Sequence, residues 1–490
     1  MPAHVSTGVR GLDTVLRGGF LHGGLYVVHG PPGAGKTVFG NQFCFHSAAE
    51  GRRALYVTVL AENHARMVAH LEGLAFFRPE WVGDKVRYLS GLQGLKHGGL
   101  PLLLKTMGDE IRRQRASALV IDGLGCHGNE AQVREFLQGL SAQTLLAGCT
   151  TVMLEVTDPE GTRPEQALAD GLITLENELI GLKAIRSLEV SKFRGGSQIT
   201  GKHCFDITSD GFEVYPRTEA LYSQQPTKDT DPSDRLAFGI PSFDQMMCGG
   251  LVRHSSTLLL GSPGSGKTVL GLHFLAEGAR RGEHGLYFGF AETQAQLREK
   301  GRVLGVPVAE LEAQGGITLE VHVPVESLPD ALVQQLVETC EKKGVRRLFI
   351  DGLEPLAREA IDPERNARFI TALLNQLRSL GVTTIATQQT NALVGPELHA
   401  PLKSAEAIVE NIILLRFVEL RSQIRKALSV LKMRESGNDS RLRELLIEPG
   451  SVRVGGPFEQ SHALLTGLAR PLGTGPLSKL RRAAKKGRTP

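Results

Sequence analysis

Two glycine loops of one type, 231 residues apart, constrain this chain of 490 residues more than anything else in it. Gly30-Pro-Pro-Gly33-Ala34-Gly35-Lys36-Thr37 and Gly261-Ser-Pro-Gly264-Ser265-Gly266-Lys267-Thr268 both fit G-x-x-x-x-G-K-[ST]. Each follows a short apolar run, LYVVHG or TLLLG, and opens a stretch of helical periodicity, VFGNQFCFHSAAEG or VLGLHFLAEGARRG. That strand–loop–helix setting is what the motif needs to act as a phosphate cradle. Glycines let backbone N–H groups curl around phosphate oxygens, and the helix N-terminus adds a favourable dipole. The pattern assigns Lys36 and Lys267 to β- and γ-phosphates, and the hydroxyls of Thr37 and Thr268 to Mg²⁺. ATP and Mg²⁺ are the expected ligands of both loops.

The loops are two landmarks of a longer repeat. STGVRGLDTVLRGGF (6–20) matches AFGIPSFDQMMCGGL (237–251), with Asp13 and Asp244 again 231 apart. ALVIDGL (118–124) matches RLFIDGL (347–353), and VSKFRGGS (190–197) matches VLKMRESG (430–437). Landmarks in one order at nearly one period mark a tandem duplication. We read residues 1–228 as one domain, 229–456 as a second, and 457–490 as a tail. The polar, proline-bearing stretch Tyr215–Leu236 reads as the linker. Within each repeat, apolar runs (ALYVTVL, ALVIDG, TTVMLEV; GLYFGF, RLFIDG, VTTIATQ) alternate with helical stretches such as Glu130–Gly148 and Glu364–Gly381. This pattern predicts an α/β fold in each repeat, a mostly parallel sheet with helices on both faces. The later runs SLEVSKF and LSVLKMR are expected to add antiparallel strands to it.

Composition narrows the class. At 41% hydrophobic and 22% charged residues, the chain reads as soluble and globular. It shows no secretory signal and no apolar run long enough for a membrane span, so a cytoplasmic location is expected. The six cysteines form no Cys-x-x-Cys pair and read as buried free thiols. Aromatics are scarce at 5%, which disfavours a stacking surface for single-stranded nucleic acid. Seven of the basic residues, among them Lys479, Arg481, Arg482, Lys485, Lys486 and Arg488, fall in the last 21 positions, which hold no acid. Their mutual repulsion predicts disorder in the tail 457–490. Without those seven the whole-chain charge of +4 becomes −3, a poor general track for phosphates. A nucleic-acid motor is therefore the second reading, with only the tail offering a contact.

Further acids fall where phosphoryl chemistry needs them. Asp122 and Asp351 end their strands before Gly-Leu, where the magnesium shell takes a carboxylate. Glu62, in YVTVLAENHARM, and Glu292, in YFGFAETQAQLREK, follow the apolar run that comes after each P-loop helix and are the candidates to orient the attacking water. Either position also suits a charge at a helix start.

Taken together, the repeat order, the LDTVLRGGF-type opening, the P-loops, the post-strand acids and the late K-x-R resemble the KaiC family of RecA-like ATPases. The resemblance spans roughly residues 5–456 and is closest at ENIILLRFVELRSQIRKALSVLKMRESGND (410–439). It implies two RecA-like P-loop domains per chain, stacked as two rings of a homo-hexamer with ATP at subunit boundaries. It also implies that Lys192 and Arg194, and Lys432 and Arg434, reach the neighbouring subunit's nucleotide. The expected activity is ATP hydrolysis, with nucleotide state regulating a protein partner in a signalling or circadian-type role. Two departures stand out. The family's two adjacent glutamates are reduced here to Ala61-Glu62 and Ala291-Glu292, which leaves a non-hydrolysing scaffold as a further alternative. At the place of its autophosphorylated Ser-Thr pair stand Glu406-Ala407, so kinase activity on itself is disfavoured.

Overall fold

The computed structural model describes residues 4–59, 64–124, 130–156, 167–180, 182–223, 231–323, 328–357, 365–390, 408–420, 422–434, 437–458, 461–462 and 470–471. The chain divides into two compact units, Met1–Leu221 and Tyr222–Pro490.

The first unit is built on one sheet of nine strands: β1 Leu25–Gly30, β2 Ala54–Thr58, β3 Val86–Ser90, β4 Ala118–Asp122, β5 Thr150–Val156, β6 Gly171–Ile180, β7 Lys183–Phe193, β8 Lys202–Thr208 and β9 Gly211–Tyr215. The second unit has its own nine: β10 Ser256–Gly261, β11 Gly285–Gly289, β12 Ile317–Val321, β13 Arg347–Asp351, β14 Thr383–Gln389, β15 Asn411–Leu420, β16 Gln423–Met433, β17 Arg443–Glu448 and β18 Ser451–Pro457. Strand order is β3-β2-β4-β5-β1-β6-β7-β8-β9 in the first sheet and β12-β11-β13-β14-β10-β15-β16-β17-β18 in the second. The two orders are the same, position for position. Strands from β3 to β6 and from β12 to β15 pair in parallel; the rest of each sheet is an antiparallel meander.

Helices α1 Lys36–Ala49, α2 His64–Leu71, α3 Leu92–Gln114 and α4 Glu130–Ala147 belong to the first unit, and α5 Lys267–Arg280, α6 Gln294–Leu304, α7 Pro329–Lys343 and α8 Arg365–Ser379 to the second. Alternate residues of each strand feed separate cores. Tyr26, Val28, Tyr56, Val120 and Leu154 pack with Phe39 and Phe43 of α1. Val27, Leu55, Leu119, Ile121 and Met153 pack with Leu103 of α3 and Leu137 of α4. The second unit repeats this with Tyr287 and Phe349 under α5 and with Leu286 and Leu348 under α7 and α8. Runs buried on both faces must be continuously apolar, which is why these strands were legible as such. Helices α1 and α5 lie so close to their sheets that a Cβ on Gly40 would sit 2.8 Å from Leu154 and one on Gly271 2.4 Å from Phe349. The absent side chains set the height of each P-loop helix.

Three expectations need correction. Cys44, Cys149, Cys204 and Cys340 are buried thiols, but Cys248 is exposed. It sits at φ 52° in the turn after the helix Pro241–Met246, where the chain must reverse at the surface. Cys126 lies outside the described residues. The stretch read as linker already holds a helical turn, Thr218–Leu221, and a strand, Arg235–Leu236, paired to Val252 and Leu251. Leu221 and Leu236 pack against their units' cores, which shortens the true connection. At the start of the tail, Ser461–His462 pairs antiparallel with Arg470–Pro471. This pair lies ahead of the basic run 479–488, which lies outside the described residues.

Candidate active site

Each glycine loop joins the first strand of its sheet to the helix behind it. Gly33 and Gly35 take φ of 78° and 97°, Gly264 and Gly266 of 77° and 112°, values open to glycine at little cost. Gly35 and Gly266 are the residues preceding α1 and α5, so the loop amides converge at two helix N-termini. A Cβ on Gly30 would lie 2.7 Å from the Leu175 carbonyl oxygen, and one on Gly261 2.5 Å from that of Leu415. Ala34 and Ser265 are buried beneath the loops. Lys36 Nζ donates to the carbonyls of Gly30 and Pro31 at 2.7 and 2.9 Å; Lys267 Nζ donates to those of Gly261 and Ser262 at 2.6 and 3.0 Å. Burial pulls both lysines below their ordinary range, while Asp122 and Glu155 hold Lys36 up and Asp351 and Glu354 hold Lys267 up.

The acids at the strand ends stand beside the loops. Thr268 Oγ1 donates to Asp351 Oδ2 at 2.8 Å, so the two candidate magnesium groups of the second unit already meet. Tyr287 donates to the same carboxylate at 2.9 Å and Thr387 to its other oxygen at 3.0 Å. In the first unit Tyr56 donates to Asp122 at 2.8 Å. Burial, and then the neighbouring aspartate, push both tyrosines well above their usual range, so they stay donors. Thr37 occupies in α1 the place of Thr268 in α5. A hard oxygen set of one hydroxyl and one carboxylate, with room for phosphate oxygens and water, suits Mg²⁺.

Glu292 lies just before Thr293, whose side chain caps α6 in a capping box with Gln296. Its carboxylate forms an ion pair with Lys300, two turns into that helix. Glu62 lies outside the described residues. Thr58 Oγ1 at the end of β2 and His64 Nε2, at the start of α2, are 2.6 Å apart. The sequence reading passed over Glu155, Glu354, both tyrosines and Thr387. Glu155 and Glu354 are buried acids near the lysines, and Glu354 accepts from the Gln389 N–H at 2.7 Å. No local motif marks them, because residues far apart in the sequence meet here only in the fold: Glu155 on β5, Thr387 on β14, and Glu354 in the helical turn Glu354–Ala357 after β13.

The K-x-R residues sit at the other end of each sheet. Lys192 pairs with Leu172, which pairs with Val27 of β1, three residues before Gly30. Lys432 pairs with Ile412, which pairs with Leu258, again three before Gly261. That is about 10 Å along the strand, and the P-loop lies beyond it. In both units a register shift falls at this point, between Leu172 and Ile173 and between Ile412 and Ile413, leaving Ser191 and Leu431 as the extra residues. Such bulges re-aim the side chains that follow. Lys192 Nζ donates to the Ala167 carbonyl at 2.8 Å and Lys432 Nζ to that of Val409 at 2.7 Å.

Comparison with known proteins agrees with this geometry. The family model for the KaiC ATPase matches residues 5–219 and again 236–459. The circadian clock oscillator protein KaiC of Parathermosynechococcus lividus is 27% identical over 478 residues, covering 94% of this chain and 87% of that protein. Its namesake from a Picosynechococcus species is 26% identical over 94% of this chain and 92% of its own length. The circadian clock protein KaiC3 of a Synechocystis species is 26% identical over 94% of both chains. Two matched sheets of one strand order, each with its P-loop and strand-end acid, are tandem RecA-like domains, and the chain belongs to the KaiC family of ATPases.

Proposed function

We propose that the chain binds and hydrolyses Mg-ATP at sites completed by neighbouring copies in a ring, most simply a hexamer, and that nucleotide state alters the ring for a regulatory protein partner. The observation that carries this is the placement of K-x-R at the end of each sheet away from its own P-loop. A cation there serves the phosphates of another copy, and assembly then completes catalysis. Gly30, Gly33, Ala34, Gly35 and Lys36, with Gly261, Gly264, Ser265, Gly266 and Lys267, hold the phosphates. Thr37 with Asp122, and Thr268 with Asp351, hold Mg²⁺. Bound there, the ion would neutralise negative charge on the phosphate oxygens. Glu62 and Glu292 orient water, and Lys192, Arg194, Lys432 and Arg434 act in trans. Release of Glu292 from Lys300 is then part of reaching the reactive arrangement.

Autophosphorylation is not part of this reading. Transfer to protein needs a hydroxyl in line with the γ-phosphate, and Glu406 and Ala407, which lie outside the described residues, offer none. Among the described residues no helix is long and apolar enough to cross a membrane. The test is to size the purified chain with and without Mg-ATP, recording phosphate release and intact mass on the same sample. Nucleotide-dependent assembly with phosphate release and no phosphoryl adduct is expected. Hydrolysis by a monomer refutes the ring reading, and a stoichiometric adduct at Ser404 restores a kinase.

A further inference from the structure

The two repeats hold their trans-acting arginines differently. In the first, Arg194 is engaged by its own chain: Nη1 lies 3.8 Å from Asp170 Oδ1, and Nη2 donates to the Ala167 carbonyl at 3.4 Å. Asp170 also accepts from the Leu25 N–H at 3.0 Å, which fixes it at the start of β1. Glu410 holds the same place in the second repeat, accepting from the Ser256 N–H at 2.7 Å at the start of β10. In each case the backbone N–H of the arginine bonds the carbonyl of this acid, Arg194 to Asp170 and Arg434 to Glu410. Left alone, Glu410 has Arg434 as its natural partner.

That pairing does not form. Glu410 is taken by Arg378, in the last turn of α8, which forms an ion pair with Oε1 and donates from Nε to the His254 carbonyl at 3.2 Å. The equivalent residue at the end of α4 is Leu145. Both helices close on the same bonds, Gly148 N–H to Leu145 and Gly381 N–H to Arg378, which makes the correspondence unambiguous. A leucine cannot neutralise Asp170, and Leu145 is exposed. Arg253, Arg378 and Arg434 line one cavity of about 90 Å³ with Glu410 and Asn411. Arg253 is held by Asp234 and Glu283 at 2.7 and 3.0 Å. Among the described residues no carboxylate pairs with the Arg434 guanidinium, which is exposed.

We propose that Arg378 is a positioning residue for the second repeat: by occupying Glu410 it keeps Arg434 free to meet the phosphates of a neighbouring copy, whereas Arg194 must first leave Asp170. The inference rests on the trans reading of K-x-R given above. An anionic neighbour competes poorly for a guanidinium already paired to a carboxylate, so the second repeat presents its cation preorganised.

The test uses full-length chain with Mg-ATP, taking as the second repeat's share the turnover that Lys267→Ala removes. Arg378→Gln should cut that share about tenfold, a fraction of the roughly 10³–10⁵ that an arginine in trans supplies, with KM changed less than about twofold. Arg378→Gln with Glu410→Gln should restore it to within about threefold, since a neutral amide in place of the carboxylate keeps the bond to Ser256 but no longer recruits Arg434. An unchanged rate in Arg378→Gln, or a loss that Glu410→Gln fails to rescue, overturns the proposal; the latter would make Arg378 a brace between α8 and β15. Arg434→Ala separates the two levels. If it leaves the share intact, the trans reading itself fails; if it abolishes the share while Arg378→Gln does nothing, only the positioning role falls.

Discussion

On the function proposed above, single side chains set the turnover of each site. Glu292 is the sharpest case, since Lys300 holds its carboxylate across two turns of helix. Glu292→Gln should keep ATP bound and slow the second repeat by about 10²–10⁴-fold, read as single-turnover phosphate release. An undiminished rate would leave Glu292 as a charge before α6 and shift attention to Glu354. A second residue, His273 on α5, reports on stability. Burial, and then Arg280, bring its pKa down to about 4, and its Nε2 is buried without a partner. Its ordinary value is about 6.5, so between these values the unfolded chain binds the extra proton. Stability is then complete above that window and falls as pH drops from about 6.5 to 4, by at most about 3 kcal/mol. His273→Gln should flatten this part of the denaturation profile. In the first unit Gln42 stands at that place and is fully engaged, donating to Gly8 and Phe212 carbonyls at 2.9 and 3.1 Å.

At the scale of elements, the contact between P-loop helix and sheet is tuned to a missing side chain. Gly271→Ala puts a methyl 2.4 Å from the ring of Phe349, which is fully buried, so ring or helix must shift. Overpacking of this kind costs about 1–3 kcal/mol, and here the helix carrying Lys267 must lift. Thermal unfolding should fall and ATP affinity weaken together; a lower melting temperature with unaltered affinity would mean that the strain is absorbed elsewhere. Much of this architecture was legible in the residues. Four central strands of each sheet (β1, β2, β4 and β5; β10, β11, β13 and β14) announce themselves because both faces are buried, and the P-loops because backbone chemistry demands glycine at fixed offsets. The edge strands β3 and β12 were missed. VRYLS and ITLEV interleave polar residues, since an edge needs only partial burial. The partner of Glu410 was equally hidden: Arg378 lies 32 residues upstream, and only the fold brings the end of α8 to the residue before β15.

The whole molecule offers the most direct test of shared sites. Lys267→Ala removes a phosphate cradle, and Arg434→Ala removes the cation proposed to reach across. Each variant alone should lose second-repeat turnover, while mixtures should recover part of it, because some neighbours then combine an intact loop with an intact arginine. No recovery in co-assembled rings would place both groups in one chain's site. Identical strand order in the two units means that one scaffold was copied entire, and the differences lie in residues layered upon it, Leu145 against Arg378 and Gln42 against His273. Because both copies are translated as one polypeptide, their stoichiometry is one to one at any level of expression. Two such ATPases encoded separately would drift in ratio with every fluctuation in transcription. Here gene dosage alters how many molecules there are but never the ratio of the two repeats inside each.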